Sequence, residues 1–356
     1  MTSPDSPAIA APELESRAVP VDLSGWFSGD EAAKDAVAAA VDAACASSGF
    51  LAVTGHRVPQ ELMQRTLDAY TSFFDRPLEE KLRSRIDDLT ANRGYAPHES
   101  EALSYSLGEE SLPDLFEAFN VGPEHVPAGI DPEAQATFFA TNVWPEDMPE
   151  LKETVLEYWA AVEDLGRTLC SVMARALGLA DDFFEPYLTA CPSVLRANNY
   201  QRRAEHGVAD PGQLRMGAHS DYGSITILLA DPVPGLQIRD RAGEFHDVLP
   251  PEGGFLVNLG DLLAEWTNDR WRSTVHRVVP PPADVPGEFR RRSLAWFQQP
   301  NHDAVIEVLD VCTGPDNPPR YPTVTAGGHL LAKLMGPREG HESDVDEAFL
   351  ARPDQA

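Results

Sequence analysis

Apolar positions recur every three or four residues in some stretches of the chain and at short, β-like intervals in others. From Asp30 onward the run EAAKDAVAAAVDAACASS carries an apolar stripe through Ala33, Val37, Ala40, Val41 and Ala44, and Gly49 supplies a stop. The segment FLAVTGH then reads as a short strand. A second helix is predicted over Pro59 to Asp75, followed by a short one over LEEKLR. Residues 91 to 150 hold many turn formers and no long period, so they read as mostly loop, with LFEAFNVG as a candidate strand. From about Glu150 to Leu177 the spacing of Leu151, Val155, Tyr158, Val162, Leu165, Leu169 and Val172 predicts a long buttressing helix. After Pro192 the pattern changes to short β-rich segments between Gly and Pro: VLRANNY, SITILLA, GLQIRD, FHDVLP, GFLVNLG, STVHRVV and RRSLAWFQ. That series predicts an antiparallel sandwich or barrel.

Charge narrows the partners. Acidic residues number 57 against 28 Lys plus Arg, a formal net charge of −29, so the average surface repels a nucleic-acid backbone. The reading is a small-molecule partner, with no nucleic acid and no membrane. Cys45, Cys170, Cys191 and Cys312 lack metal-ribbon spacing and read as small core residues. No apolar run approaches the length of a membrane-spanning helix. The first 18 residues are rich in Pro, Ser, Ala and Glu and read as a disordered leader, without the basic and apolar segments of a secretory signal. A cytoplasmic location is the expectation.

His219 and Asp221 lie two apart in MGAHSDYGSITILL, where strand alternation puts both side chains on one face. An HxD pair alone is a weak signal. A third ligand is available in His276, at the end of another predicted strand and 55 residues beyond Asp221. Two imidazoles and a carboxylate can occupy one face of an octahedral iron and leave three positions open. Arg291 and Ser293 share a strand face in RRRSLAWFQ, and a guanidinium fork beside a hydroxyl suits a carboxylate. Arg292 points the other way by the same alternation. Asn198 and Tyr200 in LRANNYQ have the same two-residue spacing.

These segments, with VPVDLSGW, SSGFLAVTGHRVP, the RGY of Arg93 to Tyr95, PDLFEAFNVG and VNLGDLLAEWTND, give a chain that resembles the iron(II)- and 2-oxoglutarate-dependent oxygenases of the isopenicillin N synthase type. The resemblance spans roughly residues 19 to 336. It implies an α+β fold with a mainly β core, a distorted double-stranded β-helix (jelly roll) with flanking helices. It further implies His219, Asp221 and His276 as iron ligands. Arg291 and Ser293 would bind the distal carboxylate of 2-oxoglutarate, and Tyr200 and Asn198 would support it. The implied reaction consumes Fe(II)-bound 2-oxoglutarate and O2 and oxidises an unactivated C–H bond of a small molecule by hydroxylation, desaturation or ring formation.

The domain organisation that follows is a leader over 1–18, a single oxygenase domain over 19–336 and a C-terminal tail over 337–356. Within the domain, about 19–180 forms the helical and mixed part and about 192–310 the jelly-roll core. Phe297, Gln299, Tyr95 and Tyr222 are the candidate substrate residues. His56 and the Gly260 to Asn268 segment read as structural, and His246, His302, His329 and His341 are assigned no role. Two alternatives stay open at this point: an oxidase that needs no oxoacid, and a small-molecule-binding module without catalysis.

Overall fold

Asp30 caps the first long helix by accepting a hydrogen bond from the Ala32 amide at 3.1 Å, and the chain leaves that helix through Gly49 at φ 67°. A side chain at Gly49 would run into the Arg272 carbonyl. In this computed structural model the described residues are 17–86, 91–104, 112–202, 210–281 and 289–339. The N-terminal part runs β1 (Val19–Asp22), α1 (Glu31–Ser47), β2 (Phe50–Thr54), α2 (Gln60–Phe74), α3 (Leu78–Lys81), β3 (Gly94–Ala96), β4 (Glu117–Val121), α4 (Pro132–Phe138) and α5 (Pro149–Ala176). There follow β5 (Val194–Arg202), β6 (Met216–His219), β7 (Ile225–Ala230), β8 (Leu236–Arg239), β9 (Phe245–Asp247) and β10 (Phe255–Leu259). The chain continues through α6 (Asp261–Trp266), β11 (His276–Val278), β12 (Phe289–Gln298), β13 (Val305–Ile306), β14 (Val324–Thr325) and α7 (Ala326–Glu339).

The large sheet has the order β1-β2-β10-β7-β12-β5-β4-β3, and a smaller sheet, β6-β11-β8-β9, faces it. Pairing is antiparallel except between β1 and β2, which are parallel, a departure from the all-antiparallel expectation. Side-chain alternation divides the large sheet into two faces. Leu51, Val53, Phe255, Val257, Ile227, Leu294, Trp296 and Leu195 point outward and are buried under α1, α2 and α5 in one large core. Trp159 of α5 meets Trp296 of β12 edge to face at 4.4 Å, which pins the long helix to the sheet. Phe50, Tyr200 and Leu256 point inward and pack against Met216, Leu236, Ile238 and Val278 of the small sheet. This second core fills the jelly roll between the sheets.

A buried polar network also lies on the outer face. Glu117 accepts hydrogen bonds from Lys81 at 2.5 Å, from the Tyr95 hydroxyl at 2.6 Å and from Asn199 at 2.7 Å. The Lys81 ammonium thus matches the Glu117 charge, as a buried carboxylate requires. Arg290 extends the network, donating through Nε to Asn199 at 2.8 Å and through Nη1 to Asp75 at 2.9 Å.

Residues 91 to 150 hold more structure than their pattern predicts. Beside the expected strand in LFEAFNVG, which is β4, both β3 and α4 fall there, and Asp131 caps α4 with Pro132 in its first turn. The helix α7 runs to Glu339, past the expected start of the tail. The leader through residue 16 and the tail from residue 340 lie outside the described residues.

Candidate active site

β6 ends at His219 and β11 begins at His276, and the two residues are paired across the small sheet. His219 Nδ1 lies 2.8 Å from the Gly217 carbonyl and His276 Nδ1 lies 3.1 Å from the Thr274 carbonyl. A carbonyl only accepts, so each Nδ1 carries the hydrogen and each Nε2 keeps its lone pair. Both Nε2 atoms stand 3.9 Å from Oδ1 of Asp221. The other carboxylate oxygen, Oδ2, is already engaged: it accepts from Thr226 Oγ1 at 2.5 Å and from Asn258 Nδ2 at 2.6 Å. One donor atom from each of the three residues is thus turned to a common point, all within 4.8 Å of one another.

Electrostatics agree with this arrangement. Burial holds the His219 imidazole below its ordinary pKa, and the adjacent His276 pushes in the same direction, so the ring is neutral and able to ligate. Burial alone would raise Asp221. The facing imidazoles and the bonds from Thr226 and Asn258 outweigh it and keep the carboxylate ionised. Two imidazoles with one carboxylate, each oriented by a second partner, fit a divalent iron with open positions. The loop between the ligands is also tied down. The Asp261 amide at the start of α6 donates to the Asp221 carbonyl at 2.8 Å, and Asp261 Oδ2 accepts from Ser220 and from Lys333 of α7.

On β12, Arg291 pairs with Tyr200 and Ser293 with Asn198 of β5, all four facing inward. Asn198 Nδ2 donates to Ser293 Oγ at 3.4 Å, and the Arg291 guanidinium lies 5.3 Å from the Tyr200 ring. Arg291 is 1% exposed, yet its Nε has no hydrogen-bond partner among the described residues. A buried guanidinium nitrogen without an acceptor leaves a place for an anion, and a carboxylate fits it. Arg292 is on the outer face, where it binds Asp231, Asp68 and Thr71. This is the strand register expected from the run of three arginines.

The structure brings some of the expected substrate residues to the site and not others. Phe297 shares the inward face and pairs with Thr226, and Tyr222 adjoins Asp221. Gln299 lies just beyond β12 with its side chain over Gly223, at a distance that a Cβ there would violate. Tyr95 is corrected. It pairs with Phe119 on the outer face, and its hydroxyl is bound to Glu117, so the sheet separates it from the ligands. His56 is structural, with Nε2 at 2.9 Å from the Gly253 carbonyl and Nδ1 accepting from the Val58 amide. The residues missed in the sequence are Thr226 and Asn258. Their signal was a polar residue inside an otherwise apolar strand, SITILL and FLVNL. Phe50 was also missed; its ring meets His276 edge to face at 5.5 Å.

Residues 191–300 match the model of the 2OG-Fe(II) oxygenase superfamily, and residues 19–147 match that of the non-haem dioxygenase in morphine synthesis N-terminal region. A 2-oxoglutarate-Fe(II) type oxidoreductase of Emericella nidulans is 35% identical over 311 residues, covering 86% of each chain. Validamycin A dioxygenase of Streptomyces hygroscopicus subsp. limoneus is 34% identical over 94% of this chain and 92% of its own. Among solved structures, a full-length Neurospora crassa protein in complex with alpha-KG superposes with a TM-score of 0.78 at 30% identity, over 90% of this chain and 96% of that one. The rice dioxygenase for auxin oxidation gives a TM-score of 0.68 at 27% identity, over 90% and 96%. No helix among the described residues is long and apolar enough to cross a membrane. With this fold and these relatives, the chain belongs to the isopenicillin N synthase-like 2OG-Fe(II) oxygenases, which are oxidoreductases dependent on Fe(II), 2-oxoglutarate and O2.

Proposed function

We propose that His219, Asp221 and His276 hold the iron(II), and that Arg291 with Ser293, supported by Tyr200 and Asn198, receives the distal carboxylate of 2-oxoglutarate. The observation that carries this reading is the unpartnered Nε of Arg291, buried on the same inward face to which Thr226 binds Asp221. When bound, iron and 2-oxoglutarate supply a two-electron oxidation by O2, with succinate and carbon dioxide as coproducts. The protein's own part is positional. Gly217 and Thr274 orient the imidazoles, Thr226 and Asn258 hold Asp221, and the apolar core of Phe50, Leu256, Met216 and Val278 keeps bulk water from the cavity.

The substrate is a small molecule oxidised at an unactivated C–H bond, by hydroxylation, desaturation or ring formation. The relatives support a small molecule of specialised metabolism: one is a validamycin A dioxygenase, and the Neurospora crassa protein has been crystallised with thymine. Phe297, Gln299 and Tyr222 line its side of the site. Residues 19–336 form one oxygenase domain, because β1 to β4 join the same sheet as β5, β7, β10 and β12. The location is cytoplasmic.

The test is stoichiometric. Purified protein with Fe(II) and a metabolite library should release one succinate per molecule of substrate oxidised. Full oxidation with 2-oxoglutarate rigorously excluded would overturn the role given to Arg291 and Ser293.

A further inference from the structure

Arg196 of β5 faces inward two residues before Asn198 and pairs with Ala295 of β12 on one side and with Asn120 of β4 on the other. Its Nε donates to Asn198 Oδ1 at 3.0 Å and its Nη2 to Glu101 Oε2 at 2.8 Å, and the guanidinium lies 5.0 Å from the centre of the Phe116 ring. Nη1 has no hydrogen-bond partner among the described residues. Beside it, Asn120 is 4% exposed, and its Oδ1 is buried without a partner among the described residues. The residues that carry this idle donor and this orphaned acceptor are therefore direct partners on neighbouring strands, about 4.8 Å apart in backbone spacing. A buried amide oxygen left without a hydrogen bond is costly, which makes an external donor its natural complement.

The place of this pair in the fold points to substrate. In the β12 register Ala295 lies between Ser293, which faces the co-substrate, and Phe297, which faces the Thr226 that binds Asp221. Arg196 and Asn120 therefore stand on the inward face on the β4–β5 side, Arg196 two register positions from the Ser293–Asn198 pair and Asn120 one strand further out.

We propose that Arg196 Nη1 and Asn120 Oδ1 form the substrate-recognition pair of this enzyme, and that they select a neutral amide-like edge, a carbonyl oxygen beside an N–H, such as that of a lactam, imide or ureide. Neutrality follows from Glu101, which already balances Arg196, and from Asn120 Oδ1, which repels an anion. The carbonyl of the ligand accepts from Arg196 and its N–H donates to Asn120. This inference rests on the co-substrate reading above, since it takes Arg291 as the carboxylate site and leaves Arg196 for the substrate.

The test uses the full chain loaded with diamagnetic Zn(II) and N-oxalylglycine, observed by saturation-transfer NMR. The probes are glutarimide, N-methylglutarimide, which lacks the donor, and benzoate, which is an anion. Glutarimide should bind best, and Asn120→Leu should weaken it by about three- to tenfold, the effect of one hydrogen bond. Asn120→Asp, which keeps an acceptor, should retain more binding than Asn120→Leu, a difference that a purely structural role for Asn120 does not produce. Stronger binding of benzoate, equal binding of the imide and its N-methyl derivative, no imide binding, or insensitivity to both substitutions overturns the proposal. N-oxalylglycine gives its own signal: its failure to bind the wild-type protein would bring down the co-substrate reading, whereas its binding without that of glutarimide brings down the recognition pair alone.

Discussion

His276 lies opposite His219 across the β6–β11 pair, with ring centroids 4.4 Å apart. Neighbouring strands thus deliver two imidazoles to one point, and Asp221 completes the set from the loop. If these three hold the iron as proposed there is no spare ligand, so Ala in place of His219, Asp221 or His276 should abolish substrate oxidation and weaken Fe(II) binding. The decisive measurement is anaerobic metal titration alongside turnover. Wild-type activity in His276→Ala would sink the triad.

The neighbours Arg291 and Arg292 should fail in different ways. A hydrogen bond to a charged group is worth about 1.5–3 kcal/mol, so Arg291→Ala should raise the apparent KM for 2-oxoglutarate roughly 10- to 150-fold where KM tracks binding. Arg291→Lys should rescue this in part, since it keeps the charge but loses the fork. Arg292 binds Asp231 with two guanidinium nitrogens on the outer face. Arg292→Ala should therefore leave KM within about twofold and instead lower stability by about 1–2 kcal/mol. Denaturant melts and 2-oxoglutarate titrations of the three variants separate the two effects.

Among the described residues, the hydrogen bonds of Thr226 and Asn258 to the His219–Asp221–His276 cluster both end on Asp221 Oδ2. Thr226→Val and Asn258→Leu should each reduce metal affinity by about 10- to 100-fold, because an unrestrained carboxylate must be ordered on binding. Both variants should melt cooperatively. Unchanged Co(II) affinity in both would show that Oδ2 needs no restraint.

Asp114, which holds the Gly217 amide behind His219, gives a pH-dependent prediction. Its carboxylate accepts from the Leu103 and Gly217 amides, each at 2.8 Å, and burial pushes its pKa up to about 6. A raised acid binds its proton more tightly in the folded than in the unfolded state. Its contribution to stability is therefore greatest at low pH and is lost as pH rises from about 4 through 6. Relative to Asp114→Asn, the wild-type protein should lose on the order of 3 kcal/mol between pH 4 and pH 7. The depressed pKa of His219 acts in the opposite sense in both proteins, so the difference between their chemical-denaturation curves carries the test. A difference independent of pH would refute the assignment.

Much of this fold is legible in the sequence because one periodicity governs each element. The stripe from Leu151 to Val172 locates α5 to within a residue at each end, and the two-residue spacings of His219 with Asp221 and Arg291 with Ser293 specify a shared face. Spacing does not reveal which face an isolated strand presents. Tyr95, in the three-residue β3, has too few neighbours to show any alternation, and it lies on the outer side. Arg196 meets Glu101 across 95 residues of sequence, and Asn120 is placed by β4 pairing alone, so neither carried a local signal. The helix α4 did carry one, since Asp131 and Pro132 make a start signal, but it is only seven residues long and has no period to support it.

The alternation along β5 has a consequence for how such an enzyme changes over evolutionary time. Asn199, bound to Glu117 in the outer network, sits between Asn198 and Tyr200, which face inward beside Ser293 and Arg291. Arg196, Asn198 and Tyr200 face the interior of the jelly roll, and Ala197 and Asn199 between them serve the scaffold. If Arg196 recognises substrate as proposed, drift there can explore new molecules while Ala197 and Asn199 preserve rigidity, so specificity and robustness are separable inheritances on a single strand. Substitution respects that separation. Insertion or deletion of one residue does not, because it exchanges the two sets at once and turns Asn199 inward in place of its neighbours.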